Sequence, residues 1–153
     1  MLYSKSNGLS PKLFSFHYND CDPKKCTVIK LNRLNLVKII KTSKITQKKS
    51  IILNPFSHKL ISINDRDQIL KYGLCVIDCS WNKLLKITKL DSSNFRKLPR
   101  FIATNPTNFG KWEKLSSVEA IAASLYITNF YRLADLILSK FSWGNQFKEL
   151  NKF

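Results

Sequence analysis

Apolar residues follow two different rhythms along this chain. Over the first hundred positions they come in short runs broken by polar clusters, the pattern of strands and short helices. Over the last forty they recur every three or four residues, the pattern of amphipathic helices. Leu13-Phe14-Ser15-Phe16-His17-Tyr18 has the aromatic, alternating character of a strand. Asn19 to Pro23 is a loop, and Lys24 to Asn35 predicts a short helix begun near Pro23. Leu36 to Ile40 reads as a second strand, and the Lys-, Thr- and Ser-rich residues 41–50 as an exposed basic turn or hairpin arm. Ile51-Ile52-Leu53 predicts a buried strand, ended by Asn54-Pro55.

Ser62 is a candidate helix cap with Asp65 three residues on, and Gly73 suits the position just past that helix. Leu74 to Ile77 is a strand-type run with Asp78 at its carboxyl end. Ser80 is placed to cap a helix carrying Leu84, Leu85 and Ile87, and a further strand is expected at Arg100 to Ala103. The strongest helix signal is Ser116-Ser117-Val118-Glu119, a capping box followed by Val118, Ile121, Ala122 and Leu125 on one stripe. That helix is expected to end near Thr128-Asn129. A second begins near Tyr131 with Leu133, Ala134, Ile137 and Leu138 inward, and Asn145 caps a last one through Leu150. The order is α/β first and helical last.

Composition narrows the class. The chain has 153 residues, 44% hydrophobic and 24% charged, which is globular and not disordered. No run approaches 18 apolar residues and no signal peptide is evident, so the expectation is a soluble cytoplasmic protein with no membrane contact. The four cysteines, at 21, 26, 75 and 79, lack the paired spacing of a structural zinc site, and no metal is expected. Charge adds more. The net value is +16, and residues 1–50 alone carry 11 basic and 2 acidic side chains. A field of that sign favours a polyanion such as an RNA backbone, although a lysine-rich composition alone would also produce a basic surface.

The polar positions leave alternatives open. Asp78, between a strand and a helix, is either a pocket carboxylate or a cap on the following helix. Trp81 either walls a pocket or packs in the core. Asn105 to Gly110 is either a ligand-contacting loop or a turn held by its own Asn side chains. With four glycines there is no phosphate-cradling GxGxxG or GxxxxGK, and His17 and His58 make no multi-histidine site. Chemistry would have to come from a bound reactive cofactor.

Several of these junctions resemble one family. Asp20-Cys21-Asp22-Pro23-Lys24-Lys25-Cys26-Thr27 is similar to the first signature of the Tsr3 family of ribosomal RNA aminocarboxypropyltransferases. Asp78-Cys79-Ser80-Trp81 resembles its DCSW element, and RKLPRFIATNPTNFG at 96–110 its R.LP.L.AANPVNYG stretch. Lys114 to Ala120 resembles KLSCVEA, and Phe141 to Phe147 the closing F.WG..F, with Asn151 at the expected distance. The pieces occur in family order from about residue 16 to 151.

The resemblance implies an α/β, SPOUT-like domain over 61–153, with a C-terminal trefoil knot and a helical C-terminal part. A small mixed α/β region over 1–60 would precede it and contact RNA. It implies S-adenosylmethionine as cofactor. It also implies transfer of the 3-amino-3-carboxypropyl group to N3 of a uridine, N1-methylpseudouridine, in small-subunit ribosomal RNA or a pre-ribosomal particle, by a monomer. Asp78 is then the catalytic candidate, as proton acceptor or as a contact to the cofactor amine. Thr27, Leu53, Pro55, Trp81, Leu84, Leu98, Asn105 and Ser117 are the cofactor-binding candidates. Lys24, Lys25, Lys30, Arg33, Lys48, Lys49, Arg96, Lys97 and Arg100 are the RNA-binding candidates.

The sequence departs from the family at Val28, where glycine is usual, and at Thr104, Phe109 and Ser117, which stand for alanine, tyrosine and cysteine. The competing readings are a knotted RNA methyltransferase and a non-enzymatic ribosome assembly factor.

Overall fold

A computed structural model of the chain describes residues 10–17, 26–40, 49–78, 93–112 and 114–153. Five parallel strands form one sheet: β1 (Leu13–His17), β2 (Lys38–Ile40), β3 (Ile51–Leu53), β4 (Leu74–Asp78) and β5 (Phe95–Arg96), in the order β2-β1-β4-β3-β5. In that order β4, from after residue 60, lies between β1 and β3, from before it, so the two expected regions share a sheet.

A parallel sheet needs both faces covered, and strand periodicity divides its side chains between them. Leu13, Ile51, Leu53, Leu74 and Val76 point into the larger core with the helices. Phe14, Phe16, Ile52, Cys75 and Phe95 form a second apolar cluster. The run Leu13-Phe14-Ser15-Phe16 therefore feeds both faces in turn.

Helix α1 (Thr27–Arg33) links β1 to β2. Val28 is fully buried in its first turn. Its helical backbone suits a β-branched residue, so the missing family glycine costs no conformation here. A 3-10 turn at Ile63–Asp65 leads into α2 (Arg66–Tyr72), and Ser62 and Asp65 form the expected reciprocal cap. Gly73 ends α2 with φ 95°. A Cβ there would lie 2.6 Å from the Phe14 ring and 2.7 Å from the Lys12 carbonyl, so glycine is required on both counts.

Among the described residues the remaining α-helices are α3 (Ser117–Ile127), α4 (Tyr131–Ser139) and α5 (Gly144–Leu150). The stripe residues of α3 are buried, but so are Ala123, Ser124 and Tyr126. This helix is central, packed between β4, α1 and α4. The expected cap at Asn145 is displaced. The cap position is Trp143, two residues earlier, so helix α5 starts at Gly144 and Asn145 lies in its first turn with its amide on Glu149. Gly144 is where it is because a Cβ would come 2.1 Å from the Leu138 carbonyl oxygen.

The strand expected at Arg100 to Ala103 is also corrected. The fifth strand is Phe95–Arg96. Ile102 finds its backbone partners elsewhere: the Asn151 side chain accepts from its N–H at 2.8 Å and donates to its carbonyl at 2.9 Å, mimicking a neighbouring strand. Part of the segment expected to carry the knot, and the helix expected after Ser80, lie in residues 79–92, outside the described residues. Of the expected basic arm at 41–50, residues 41–48 lie outside them too. Among the described residues no helix is long and apolar enough to cross a membrane.

Candidate active site at the carboxyl edge of the sheet

Because all five strands run parallel, their carboxyl ends share one edge. Chain order does not follow strand order, which creates a switch point. From β1 the chain crosses by α1 to β2 on one side; from β4 it passes to β5 on the other. Strands β1 and β4 are neighbours, with His17 opposite Asp78 at their ends. The crevice between such diverging strands is where open α/β sheets bind ligands. Asp78 is the last residue of β4 and sits at that crevice.

The other candidates can be placed against it. Thr27 is the first residue of α1, the helix that follows β1, and is half-buried. The Cys26 side chain makes no capping bond to that helix, and the helix's first turn holds no acid. Leu53 is the buried last residue of β3, with Pro55 exposed just beyond. Leu98 is half-buried against the main core, two residues past β5. Ser117 opens α3 and is half-buried. Topology thus brings Thr27, Leu53, Asp78 and Leu98 to one edge from four separate chain segments. Trp81 and Leu84 lie outside the described residues.

Asn105 is buried, and its side chain is engaged inside the protein. Its amide donates to Glu119 at 2.6 Å and to the Lys114 carbonyl at 3.1 Å, while its oxygen accepts from Asn108 N–H. It shapes the loop through these bonds. Glu119, fully buried, is the hub. Its carboxylate also accepts from the Thr104 N–H at 2.7 Å and hydroxyl at 3.3 Å, and from the Ser116 N–H and hydroxyl, each at 2.9 Å. A buried carboxylate is tolerable when its lone pairs are occupied and a helix amino end lies beside it. Sequence reasoning found Glu119 only as half of a capping box. The three-residue spacing to Ser116 signals the cap, but nothing local signals Thr104 and Asn105 arriving from 14 or 15 positions away.

Among the RNA candidates, Arg96 requires correction. It was expected on the surface and is only 4% exposed. Its Nε donates to Asp65 at 3.1 Å and its Nη1 to the Ser93 and Phe95 carbonyls. Asp65 caps the 3-10 turn with its other oxygen, so one carboxylate joins two elements. An arginine held this way is part of the frame beneath the edge and not a phosphate contact. Lys97 and Arg100, immediately after it, are exposed, as are Lys30, Arg33 and Lys49. Lys30 lies over the Phe141 ring, 4.7 Å from its centroid, and Lys49 over Tyr72. Lys24, Lys25 and Lys48 fall outside the described residues.

The fold and edge define an α/β protein with a parallel-sheet switch point, the class of position at which open α/β sheets bind ligands. Comparison with known proteins is more specific. Residues 51–153 match the family model "Ribosome biogenesis protein, C-terminal". The chain is 42% identical over 143 residues to the 16S rRNA aminocarboxypropyltransferase of Methanothermobacter thermautotrophicus, covering 92% of this chain and 85% of that one. It is 43% identical over 142 residues to that of Sulfurisphaera tokodaii, covering 92% and 82%. The solved structure of the SAM-dependent rRNA acp-transferase Tsr3 from Vulcanisaeta distributa superposes with a TM-score of 0.85 at 37% identity, covering 93% of this chain and 79% of that one. The chain belongs to the Tsr3 family of 16S rRNA aminocarboxypropyltransferases and has its SPOUT-like α/β architecture.

Residues 12–44 also match a model described as a possible Fer4-like domain in RNase L inhibitor. That span holds two cysteines, Cys21 and Cys26, whereas a four-iron cluster takes four thiolates. The match carries similarity of chain and not iron–sulfur chemistry.

Proposed function

We propose that this chain transfers the 3-amino-3-carboxypropyl group of S-adenosylmethionine to N3 of a uridine-type base, N1-methylpseudouridine, in small-subunit ribosomal RNA. The observation that carries the reading is family membership at above 40% identity over nine-tenths of the chain. The edge residues fit the substrate. The Thr27 hydroxyl at the amino end of α1 suits a carboxylate. Leu53, Pro55 and Leu98 supply apolar surface for adenine and ribose. Trp81 and Leu84 are assigned to the methyl group by resemblance, and Ser117 to the helix end that closes the site.

S-adenosylmethionine supplies a sulfonium, a good leaving group, so no metal activation is needed. The new bond joins N3 to the γ-carbon of the side chain. The bond from that carbon to sulfur breaks, and sulfur keeps the electron pair as the thioether of methylthioadenosine. The N3 proton must leave. The protein's task is selection among three carbons on one sulfur, which is a matter of orientation. Asp78 takes the N3 proton or holds the substrate amine. Asp78→Asn separates the two: a proton acceptor predicts lost transfer with retained S-adenosylmethionine binding, an amine contact predicts loss of both. The enzyme works as a cytoplasmic monomer on ribosomal RNA or a pre-ribosomal particle.

The test uses S-adenosylmethionine labelled in its carboxyl carbon or in its methyl group, with small-subunit RNA from cells lacking the enzyme. Carboxyl label in the RNA supports the reading. Methyl label alone would replace it with methyl transfer. Neither label, with RNA that is a substrate for a known family member and still binds this protein tightly, would leave an assembly factor.

A further inference from the structure

The loop between Ala103 and Trp112 is firmly rooted and carries two exposed rings. At its base Ala103 N–H donates to the Lys111 carbonyl at 2.9 Å, Gly110 N–H donates to the Ala103 carbonyl at 2.7 Å, and Ile102 bridges to Trp112. Thr104 and Asn105 are tied to buried Glu119. Gly110 turns the chain with φ 79°, where an added Cβ would meet nothing, so the need there is conformational only. The loop then presents two large rings to solvent: Phe109 is 59% exposed and Trp112 51%. The root contains no reason for this exposure, because neither ring contributes to either apolar cluster.

The surroundings are cationic. The Arg100 guanidinium lies 5.4 Å from the Trp112 ring centroid, and Lys97, Lys111 and Lys114 are exposed nearby in sequence. Glu113 is the one acid in the segment 97–114. Aromatic faces interleaved with cations are the chemistry that binds unpaired nucleotides: bases stack on the rings while the cations meet phosphate. A protein partner would more often meet an apolar patch without such a charge excess.

We infer that Phe109 and Trp112 form a stacking platform for unpaired bases flanking the target nucleotide, with Arg100 and Lys97 on the adjoining phosphates. This rests on the proposed RNA substrate and adds which side chains hold the RNA beside the reacting base. A base that reacts at N3 must be exposed from its loop, and the neighbours it leaves unstacked need a surface.

Both rings are exposed, so Phe109→Ala and Trp112→Ala should fold as the parent does. The experiment measures affinity for a single-stranded small-subunit RNA fragment containing the target, for a paired duplex of the same length, and for S-adenosylmethionine. Each variant is expected to bind the single strand about 5- to 100-fold more weakly. Binding of the duplex and of S-adenosylmethionine should not change, nor should the slope of affinity against salt. Trp112→Phe should recover most of the loss. Unchanged single-strand affinity in both alanine variants overturns the inference, and it leaves the transfer reaction standing if the parent still moves carboxyl label into RNA. Parent-like binding of naked RNA with weakened binding of the assembled particle overturns it in favour of a protein contact. Equal losses on single strand and duplex overturn stacking in favour of charge.

Discussion

The edge of the sheet divides into an interior frame and an exposed lip, and the two use similar side chains in opposite ways. Arg96 and Arg100 are four residues apart. One is buried, donating to Asp65 and two carbonyls; the other lies over the Trp112 ring. Glu119 and its partners Thr104, Asn105 and Ser116 are likewise occupied with each other. The lip residues Lys97, Phe109 and Trp112 are exposed. The frame fixes position and the lip meets the partner. Residue type and charge alone do not distinguish the two; burial does.

The sharpest way to break this division is to exchange its arginines. Arg96→Ala strands the Asp65 carboxylate in the interior and should cost about 3–5 kcal/mol of stability, read by urea unfolding. Arg100→Ala should stay within about 0.5 kcal/mol of the parent while lowering the salt slope of RNA binding by about 1. Equal effects on stability would erase the distinction.

Glu119→Gln comes next. It keeps the shape but turns an amide NH2 toward groups that are already donors. Leaving buried donors unpaired should cost about 1–3 kcal/mol, and loosening the loop root should weaken S-adenosylmethionine and RNA binding together. Loss of stability with both affinities intact would confine Glu119 to folding. On the lip, Lys97→Ala should leave the unfolding midpoint unchanged and weaken RNA binding evenly across sequences, measured by titration at two salt concentrations.

The smallest effect belongs to the surface network of Tyr126, Asp135 and Lys148, which shares no hydrogen bond with the frame residues. Burial alone would raise the Asp135 carboxyl, but hydrogen bonds from Tyr126 and Lys148 and the charge of Lys148 outweigh it and hold Asp135 below the usual carboxylate range. Its stabilising contribution is therefore present above the unfolded value and lost as pH falls through the folded one. The Asp135 side chain is 49% exposed, so solvent screening limits the contribution to less than about 1 kcal/mol. Burial, then the hydrogen bond to Asp135 and its charge, raise the Tyr126 phenol, so the matching contribution holds below the ordinary phenol range and fades above it. Asp135→Asn should flatten the acid side of the stability profile slightly and leave the frame variants' effects unchanged.

How much of this was readable depended on distance along the chain. The Ser62–Asp65 and Ser116–Glu119 caps, Gly73 and the inward faces of the last helices are set by residues within one or two turns, and they appear where the periodicity places them. Phe95–Arg96 is too short to show a period, and its strand exists because β3 lies alongside. The apolar run at 100–103 reads as a strand only while Asn151, 49 residues away from Ile102, is unseen. Arg96 looks like a surface charge until Asp65 arrives from 31 residues earlier. At the site, family resemblance supplied the candidate residues and parallel topology the reason for Thr27, Leu53, Asp78 and Leu98 to share an edge. The exposure of Phe109 and Trp112 had no local signal beyond a tryptophan set among lysines.

The most direct measurement follows the spent substrate instead of the RNA. Purified protein, S-adenosylmethionine and unmodified small-subunit RNA are mixed, and the released nucleoside is separated by chromatography. Methylthioadenosine accumulating in step with RNA, and absent without it, is the predicted result. S-adenosylhomocysteine in its place would contradict the proposed reaction, because it would show that the methyl carbon and not the γ-carbon had been presented to the base.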